Sequence, residues 1–409
     1  LVNHGGTTKV ILIDPYDLSF ASEENSMHAD VNLLEQARAL RPLVEAEASA
    51  ADEALTMTAP MVEAFEKSGL FHIMVPKELG GHEADCSTIM DVFEELCHQD
   101  GSIGWSQMAN ASATSYCAFL EPEAAREMVG AKAGAVFAGQ FAPRGAIRRE
   151  GEGFRLSGDY GFGSGSGHAS YLGGGGMVMG DDGNPEMLPS GMPAYLCYFI
   201  PKDAAVMKDG WDTLGLRGTG SFDYAVPEQF VDIKYSFWLF DHSVKTGGPF
   251  YGLGATALAG LGHAGWGLGV ARRSLDEIGK IATAGRARMG SLPVADQQIF
   301  QREFGEKTFA LNAVRALVHE VYGRMERRLH AGEKLEKRDN DEMMGAVAYM
   351  TQVCEEISIW AYRFAGSQGL RNPSLVQRAF RDMLTGGLHV FVDRKSYDEH
   401  AKNLLGLNG

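Results

Sequence analysis

The sequence predicts a mainly helical protein with a β domain in its middle, and the texture of three successive regions carries that reading. Apolar residues recur at i, i+3 and i+4 spacing from about residue 29 to 134, the span of an N-terminal helical domain. Short apolar runs punctuated by Gly, Pro and Asp take over from 135 to 248, as an antiparallel β domain requires. Long helical periodicity returns from 249 to 409. No strand–helix alternation occurs in the middle region, which argues against a doubly wound parallel sheet.

In the first region, Leu33, Leu34, Ala37, Leu40 and Leu43 share one helical face, as do Met61, Ala64, Phe65 and Leu70, and then Met90, Val92, Phe93 and Leu96. Pro76 and the paired Gly80-Gly81 end one helix before the next begins. Strand candidates in the middle region are Ala135–Ala138, Phe154–Leu156 after the Gly151-Glu152-Gly153 turn, Ala194–Ile200 and Ala225–Val231. The last region divides into helices over 251–284, 294–331, 340–370 and 373–405. Pro293 and Pro373 suit first-turn positions, and Asp339–Asp341 suits a helix start. Residues 1–28 read as a leader or as residues placed ahead of a native start at Met27.

Composition narrows the function. The chain has 409 residues with 45% hydrophobic and 22% charged, which is globular usage. Lys and Arg total 37 against 53 Asp and Glu, a formal charge of −16, opposite in sign to what tracking a nucleic-acid backbone needs. No run approaches the roughly 18 apolar residues of a membrane span. Five cysteines (Cys86, Cys97, Cys117, Cys197, Cys354) form no CxxC pair, which suits buried thiols in a reducing cytoplasm. There is no HExxH, no ligand-spaced histidine cluster, no GxSxG elbow and no Walker loop. Gly252-Leu253-Gly254-Ala255-Thr256-Ala257 fits GxGxxA with Asp276 downstream, but Gly247, Gly248 and Pro249 stand where a strand must precede it. A tightly packed Ala/Gly helix is the expectation there.

Four segments, in order, then carry a resemblance. They are Val75-Pro76-Lys77-Glu78-Leu79-Gly80-Gly81, Leu214-Gly215-Leu216-Arg217-Gly218-Thr219-Gly220-Ser221, Gly267-Leu268-Gly269-Val270-Ala271-Arg272 and Arg378-Ala379-Phe380-Arg381-Asp382. With them the chain resembles the acyl-CoA dehydrogenase superfamily from about residue 30 to 408. The resemblance implies an N-terminal helical domain, a β-barrel-like domain and a C-terminal four-helix bundle, usually in a homotetramer that binds flavin.

Thioester-oxidising members of that superfamily need a carboxylate base. The two places where they carry it fall here on Val390 and near Ala259, neither of them acidic. Phe162-Gly163-Ser164-Gly165-Ser166-Gly167-His168-Ala169, together with His389 after Arg381-Asp382 and the closing Leu404-Leu405-Gly406, is instead similar to the flavin-dependent monooxygenase branch, the two-component aromatic hydroxylases. That branch implies an oxygenase that hydroxylates an aromatic or polycyclic small molecule with reduced FMN or FAD and O2, through a flavin C4a-hydroperoxide. No convincing NAD(P)H fingerprint is present, so a separate NAD(P)H:flavin reductase is the implied partner, with neither nucleic acid nor membrane.

The resemblance also assigns residues. Ser164 lies near flavin N5 and His389 handles a proton, so both are catalytic candidates. Phe162, Ser164, Gly165, Gln140, Arg286 and Arg217 are the cofactor-binding candidates, with Arg286 on a flavin phosphate. Trp105, Ser112, Tyr116 and His168 are the substrate-side candidates. Each has a plainer alternative: a turn histidine at His168, a core histidine on an apolar helix face at His389, a structural ion pair at Arg217, packing at Trp105. The branch often carries a substrate-pocket His after Asp100-Gly101-Ser102, and here that place holds Ala113. Tyr171 stands where a Trp is frequent. A thioester-oxidising flavoenzyme with a displaced base and a catalytically idle scaffold remain the alternatives.

Overall fold

The computed structural model describes residues 32–130, 134–240, 243–287 and 289–407; the leader expected over 1–28 lies outside them. The first described region is helical: α1 (Leu33–Ala54), α2 (Ala59–Ser68), α3 (Cys86–Gln99), α4 (Gly101–Ser115) and α5 (Pro122–Ala125). Each boundary has a local cause. Gly69, left-handed at φ 71°, closes α2, and Gly80 at φ 86° closes the short 3-10 turn inside the Pro–Gly break. Asp100 separates α3 from α4 and caps α4 by accepting from the Ser102 and Ile103 amides, both at 3.0 Å.

Seven strands follow: β1 (Phe137–Glu150), β2 (Gly153–Gly163), β3 (Tyr171–Val178), β4 (Tyr195–Pro201), β5 (Val206–Lys208), β6 (Phe222–Asp232) and β7 (Ser236–Trp238). They form one sheet in the order β5-β6-β2-β1-β3-β4-β7. All neighbours are antiparallel except β1 and β3, which pair in parallel, a departure from the all-antiparallel expectation. The reason lies in the connection. After the β1–β2 hairpin, β2 serves as the return leg, and residues 164–170 carry the chain across to the far side of β1. That crossover contains Ser164, Gly165 and His168. The sheet core gathers Phe154, Leu156, Tyr160, Leu196, Tyr198 and Tyr224, and its buried phenols are satisfied: Tyr160 Oη donates to Gly175 O (3.1 Å) and meets Tyr198 Oη at 3.0 Å. Gly174 must lack a side chain, because a Cβ there would collide with both phenol rings.

The C-terminal helices are α6 (Gly254–Thr283), α7 (Gln298–His330), α8 (Lys337–Ala365), α9 (Leu375–Gly386) and α10 (Lys395–Leu404). The GxGxxA segment runs from a short 3-10 turn over 249–253 into α6, with no strand before it. Asp276 accepts from His98 Nε2 at 2.7 Å and so belongs to the packing of α6 on α3. α8 opens with a reciprocal capping box between Glu336 and Asp339. Pro293 and Pro373 precede their helices instead of starting them. All five cysteines are free thiols and buried. Among the described residues no helix is long and apolar enough to cross a membrane.

The helix expected over 373–405 is broken. α9 stops at Gly386, a 3-10 turn occupies Val390–Val392, and α10 starts at Lys395. Packing is tight at the last residue of α9: Gly386 lies against the rings of Trp266 and Trp105, where a Cβ would have no room. Gly386→Ala should therefore lower the unfolding free energy by about 1–3 kcal/mol, the usual cost of overpacking, read from the denaturant midpoint. An unchanged midpoint would mean that the two indoles are not in this tight contact.

Candidate active site

α4 is the spine of the site. Every residue from Gly101 to Ser115 except Ala109 is buried, and the helix packs against α3, α6 and β1. Trp105, one turn in, touches four of the site's side chains. Its Nε1–H donates to Ser164 Oγ at 3.0 Å, and its ring meets His263, Trp266 and His389 edge-on, with centroids 5.1, 4.9 and 5.6 Å away. Ser164 and His389, from separate parts of the chain, thus meet on one indole.

The hydroxyl of Ser164 has a fixed direction. Thr219 Oγ1 lies 2.8 Å from the Leu216 carbonyl oxygen, which can only accept, so the Thr219 proton is committed there. Ser221 Oγ, 2.6 Å from Thr219 Oγ1, must then donate to it, and Ser164 Oγ, 2.8 Å from Ser221 Oγ, must donate to Ser221. With the Trp105 N–H already accepted, Ser164 is left with one lone pair and no proton to offer outward. Ser221 and Thr219 belong to the Leu214–Ser221 motif, whose sequence alone assigns them no role. Their hydroxyl pattern two residues apart was the available signal.

His389 lies in the break after α9, in an extended conformation (φ −71°, ψ 142°), not on a helix face as the sequence suggested; its neighbours Leu388 and Val390 are 86% and 72% exposed. The Phe391 amide donates to Nδ1 at 3.3 Å, so Nε2 carries the proton. Burial, and next the neighbouring His263, hold its pKa well below the usual imidazole value. His263 on α6 is a member of the group that sequence reasoning missed. It is buried, its ring lies 4.4 Å from that of His389, and burial pushes its pKa down to about 4. The signal was a single imidazole in the otherwise small and apolar run from Gly254 to Val270.

The remaining candidates divide. Phe162 is 63% exposed and left-handed at φ 59°, its amide held by Asp223 Oδ1 at 3.1 Å. Gly165 (φ 73°) backs onto the Asn110 amide, where a Cβ would not fit. Gln140 Oε1 accepts from the Gly161 amide at 3.2 Å, beside Phe162. Ser112, buried on α4, faces Gly262 of α6, and Tyr116 donates to Ala255 O at 3.0 Å. His168 lies in the joint between α4 and the crossover: Nε2 donates to Asn110 Oδ1 at 2.9 Å, and burial brings its pKa to about 4. Arg217 donates to Asp212 Oδ1 at 2.5 Å and lies 3.9 Å from Asp52, the ion-pair arrangement. Arg286 lies elsewhere, in a cleft of about 490 Å³ lined also by Gly366, Ser367 and Gln368, and its guanidinium fills the space that a Cβ on Gly366 would take.

Behind the site, the Arg-Asp motif acts as an anchor. Arg378 reaches Ala48 O (2.5 Å) and Asp100 Oδ2 (2.9 Å), Arg381 donates to Leu214 O (2.8 Å), and Asp382 Oδ1 accepts from the Leu216 amide (2.6 Å). Burial first, and the nearby Asp100 second, raise the Asp382 pKa to about 7. Among the described residues no group of three or more His, Cys, Asp or Glu is placed to hold a metal.

Family models for the acyl-CoA dehydrogenase N-terminal and C-terminal domains match residues 33–127 and 261–394, together more than half of the chain and in the same order. The chain belongs to the acyl-CoA dehydrogenase superfamily. Within that superfamily it is 27% identical over 346 residues to an indole-3-acetate monooxygenase of Pseudomonas putida, covering 85% of this chain and 86% of that protein. It is 25% identical over 374 residues to a pigment production hydroxylase of Rhodococcus sp., covering 89% and 94%. The fold is shared with the HsaA monooxygenase from M. tuberculosis (TM-score 0.84, 21% identity, 92% of this chain and 97% of that one). XiaF from Streptomyces sp., solved with FADH2 and glycerol, also shares it (TM-score 0.83, 20% identity, 92% and 95%).

His168 and His263 are held neutral by burial, with folded pKa values near 4 against an ordinary 6.5. Their contribution is complete above about pH 6.5 and is lost as pH falls toward 4, because the unfolded chain takes up the protons first. In urea titrations across that window, His168→Gln, whose amide can still donate to Asn110, should flatten the fall by close to one proton. An unaltered slope would show that His168 titrates normally.

Proposed function

We propose that this chain is the oxygenase component of a two-component flavin-dependent monooxygenase that hydroxylates an aromatic or polycyclic small molecule. Substrate C–H, O2 and reduced flavin give C–OH, water and oxidised flavin, and a separate NAD(P)H:flavin reductase supplies reduced FMN or FAD. The observation that carries the reading is the meeting of Ser164 and His389 on Trp105, with Ala259 and Val390 where thioester-oxidising relatives place their base. The names of the relatives, an indole-3-acetate monooxygenase and a pigment production hydroxylase, support it.

The residues suit a reduced flavin. Bound there, the flavin supplies two electrons and the ring at which O2 reacts. The single lone pair left on Ser164 would suit an N–H donor, which flavin N5 carries in the reduced ring and lacks in the oxidised one. Ser164 would thereby favour the reduced form, and Trp105 and Ser221 keep its hydroxyl from turning. Gly163 and Gly165 allow the ring to approach the backbone, Phe162 offers an exposed aromatic face, and Gln140 braces that edge. Arg286, in the cleft beside Gly366, offers a fork for a phosphate. His389, neutral at physiological pH, presents Nε2–H and moves a proton between substrate and solvent without keeping a buried charge. Trp105, Ser112 and Tyr116 line the substrate side, and His168 and Arg217 hold the walls in place. Exposed Leu388, Val390, Leu404 and Leu405 suit burial in a homotetramer, and the five free thiols suit a cytoplasmic location.

Two measurements test this reading. Anaerobic titration should show tighter binding of reduced than of oxidised flavin, and Ser221→Ala, which frees the Ser164 proton, should narrow that preference. Once oxygen is admitted with reduced flavin, His389→Ala should lower product formed per flavin oxidised by on the order of 10²-fold while flavin affinity holds. Equal loss of both would make His389 structural.

A further inference from the structure

His263 lies in the middle of α6, one turn after Ala259. Its Nδ1 is 2.9 Å from the Ala259 carbonyl oxygen, which can only accept, so Nδ1 carries the proton and Nε2 is a bare lone pair. That Nε2 is fully buried and finds no hydrogen-bond partner among the described residues. A buried acceptor without a donor costs about 1–3 kcal/mol, so its persistence asks for a partner that arrives from outside the chain. The surroundings are otherwise aromatic and small: Trp105 at 5.1 Å and Phe391 at 5.5 Å, centroid to centroid, with Met108 and Ser112 of α4 facing the adjacent Gly262. His389, 4.4 Å away, has the opposite tautomer, with Nδ1 taken by the Phe391 amide and Nε2 protonated. The pair therefore carries one acceptor nitrogen and one donor nitrogen.

We propose that His263 Nε2 accepts a hydrogen bond from the substrate, and that this contact selects planar aromatic compounds bearing a neutral N–H or O–H. The inference rests on the oxygenase reading for what it calls the substrate. His263 acts here as a hydrogen-bond acceptor, its Nδ1 proton committed to the Ala259 carbonyl oxygen and its Nε2 lone pair open. Accepting from a ring N–H or O–H pushes electron density into the conjugated ring, which favours attack by an electron-poor oxygen. A hydroxyl would engage both imidazoles, donating to His263 and accepting from His389, whereas an N–H would engage His263 alone.

The test compares indole with benzofuran, which has the same outline but no N–H, by equilibrium dialysis against the whole protein. Wild type should retain indole about tenfold more tightly, the worth of one buried hydrogen bond. His263→Leu should bring the ratio near one, and His263→Gln, which keeps an acceptor, should restore part of it. A ratio near one in wild type overturns the proposal. So does a folded His263→Leu protein that keeps the preference, which would mean that the lone pair meets only an internal water. If His263→Leu does not fold, His263→Gln decides: a ratio below that of wild type but above one supports the proposal, and an unchanged ratio overturns it. Titrating the same wild-type protein with reduced FMN separates the two readings. A protein that prefers indole but binds no flavin loses the oxygenase reading alone, and one that binds flavin without the preference loses this inference alone.

Discussion

Two buried carboxylates hold the elements of the candidate site in register. Asp100 caps α4 and takes the Arg378 guanidinium, while Asp382, one turn further along α9, takes the Leu216 amide. Those bonds fix three segments that are far apart in sequence: the helix that carries Trp105, the turn that carries Thr219 and Ser221, and the helix after which His389 follows. Breaking a buried pair by removing one partner leaves an uncompensated charge and is far more damaging than losing a surface bridge. The Arg-Asp motif that reads in the sequence as a family mark is, in the structure, the fastening behind the site.

Much of the architecture is legible in the sequence because it is local. Helical periodicity, the Pro–Gly break near residue 76 and the turn at Gly151 each depend on neighbours within a few positions, and the helix–sheet–helix order follows from them. The parallel pairing of β1 with β3 does not, since it is decided by where a crossover lands. The break after Gly386 escapes for a similar reason. Leu388, Val390 and Phe391 look like a helical stripe, yet the chain leaves the helix after Gly386, which lies against two indoles from α4 and α6 that are remote in sequence.

The site shows the same division. The serine and histidine motifs led to Ser164 and His389, yet neither motif says which way a hydroxyl proton points or which imidazole nitrogen is protonated. Those follow only from the backbone groups around them: the acceptor Leu216 O at the end of the hydroxyl chain, the acceptor Ala259 O beneath His263, and the donating Phe391 amide beside His389. His263 went unremarked because an isolated histidine in an Ala/Gly helix carries no spacing pattern. Arg217 and His168 were read with structural alternatives, and their neighbours are an acid in one case and an amide in the other.

The position of His389 outside any helix has one more consequence. Leu388 and Val390 flank it, turned outward and stripped of cover, so whatever presses on them presses directly on the peptide that aims the imidazole. The imidazole is therefore mechanically joined to the molecule's outer skin, and a neighbour settling there would re-aim it from outside.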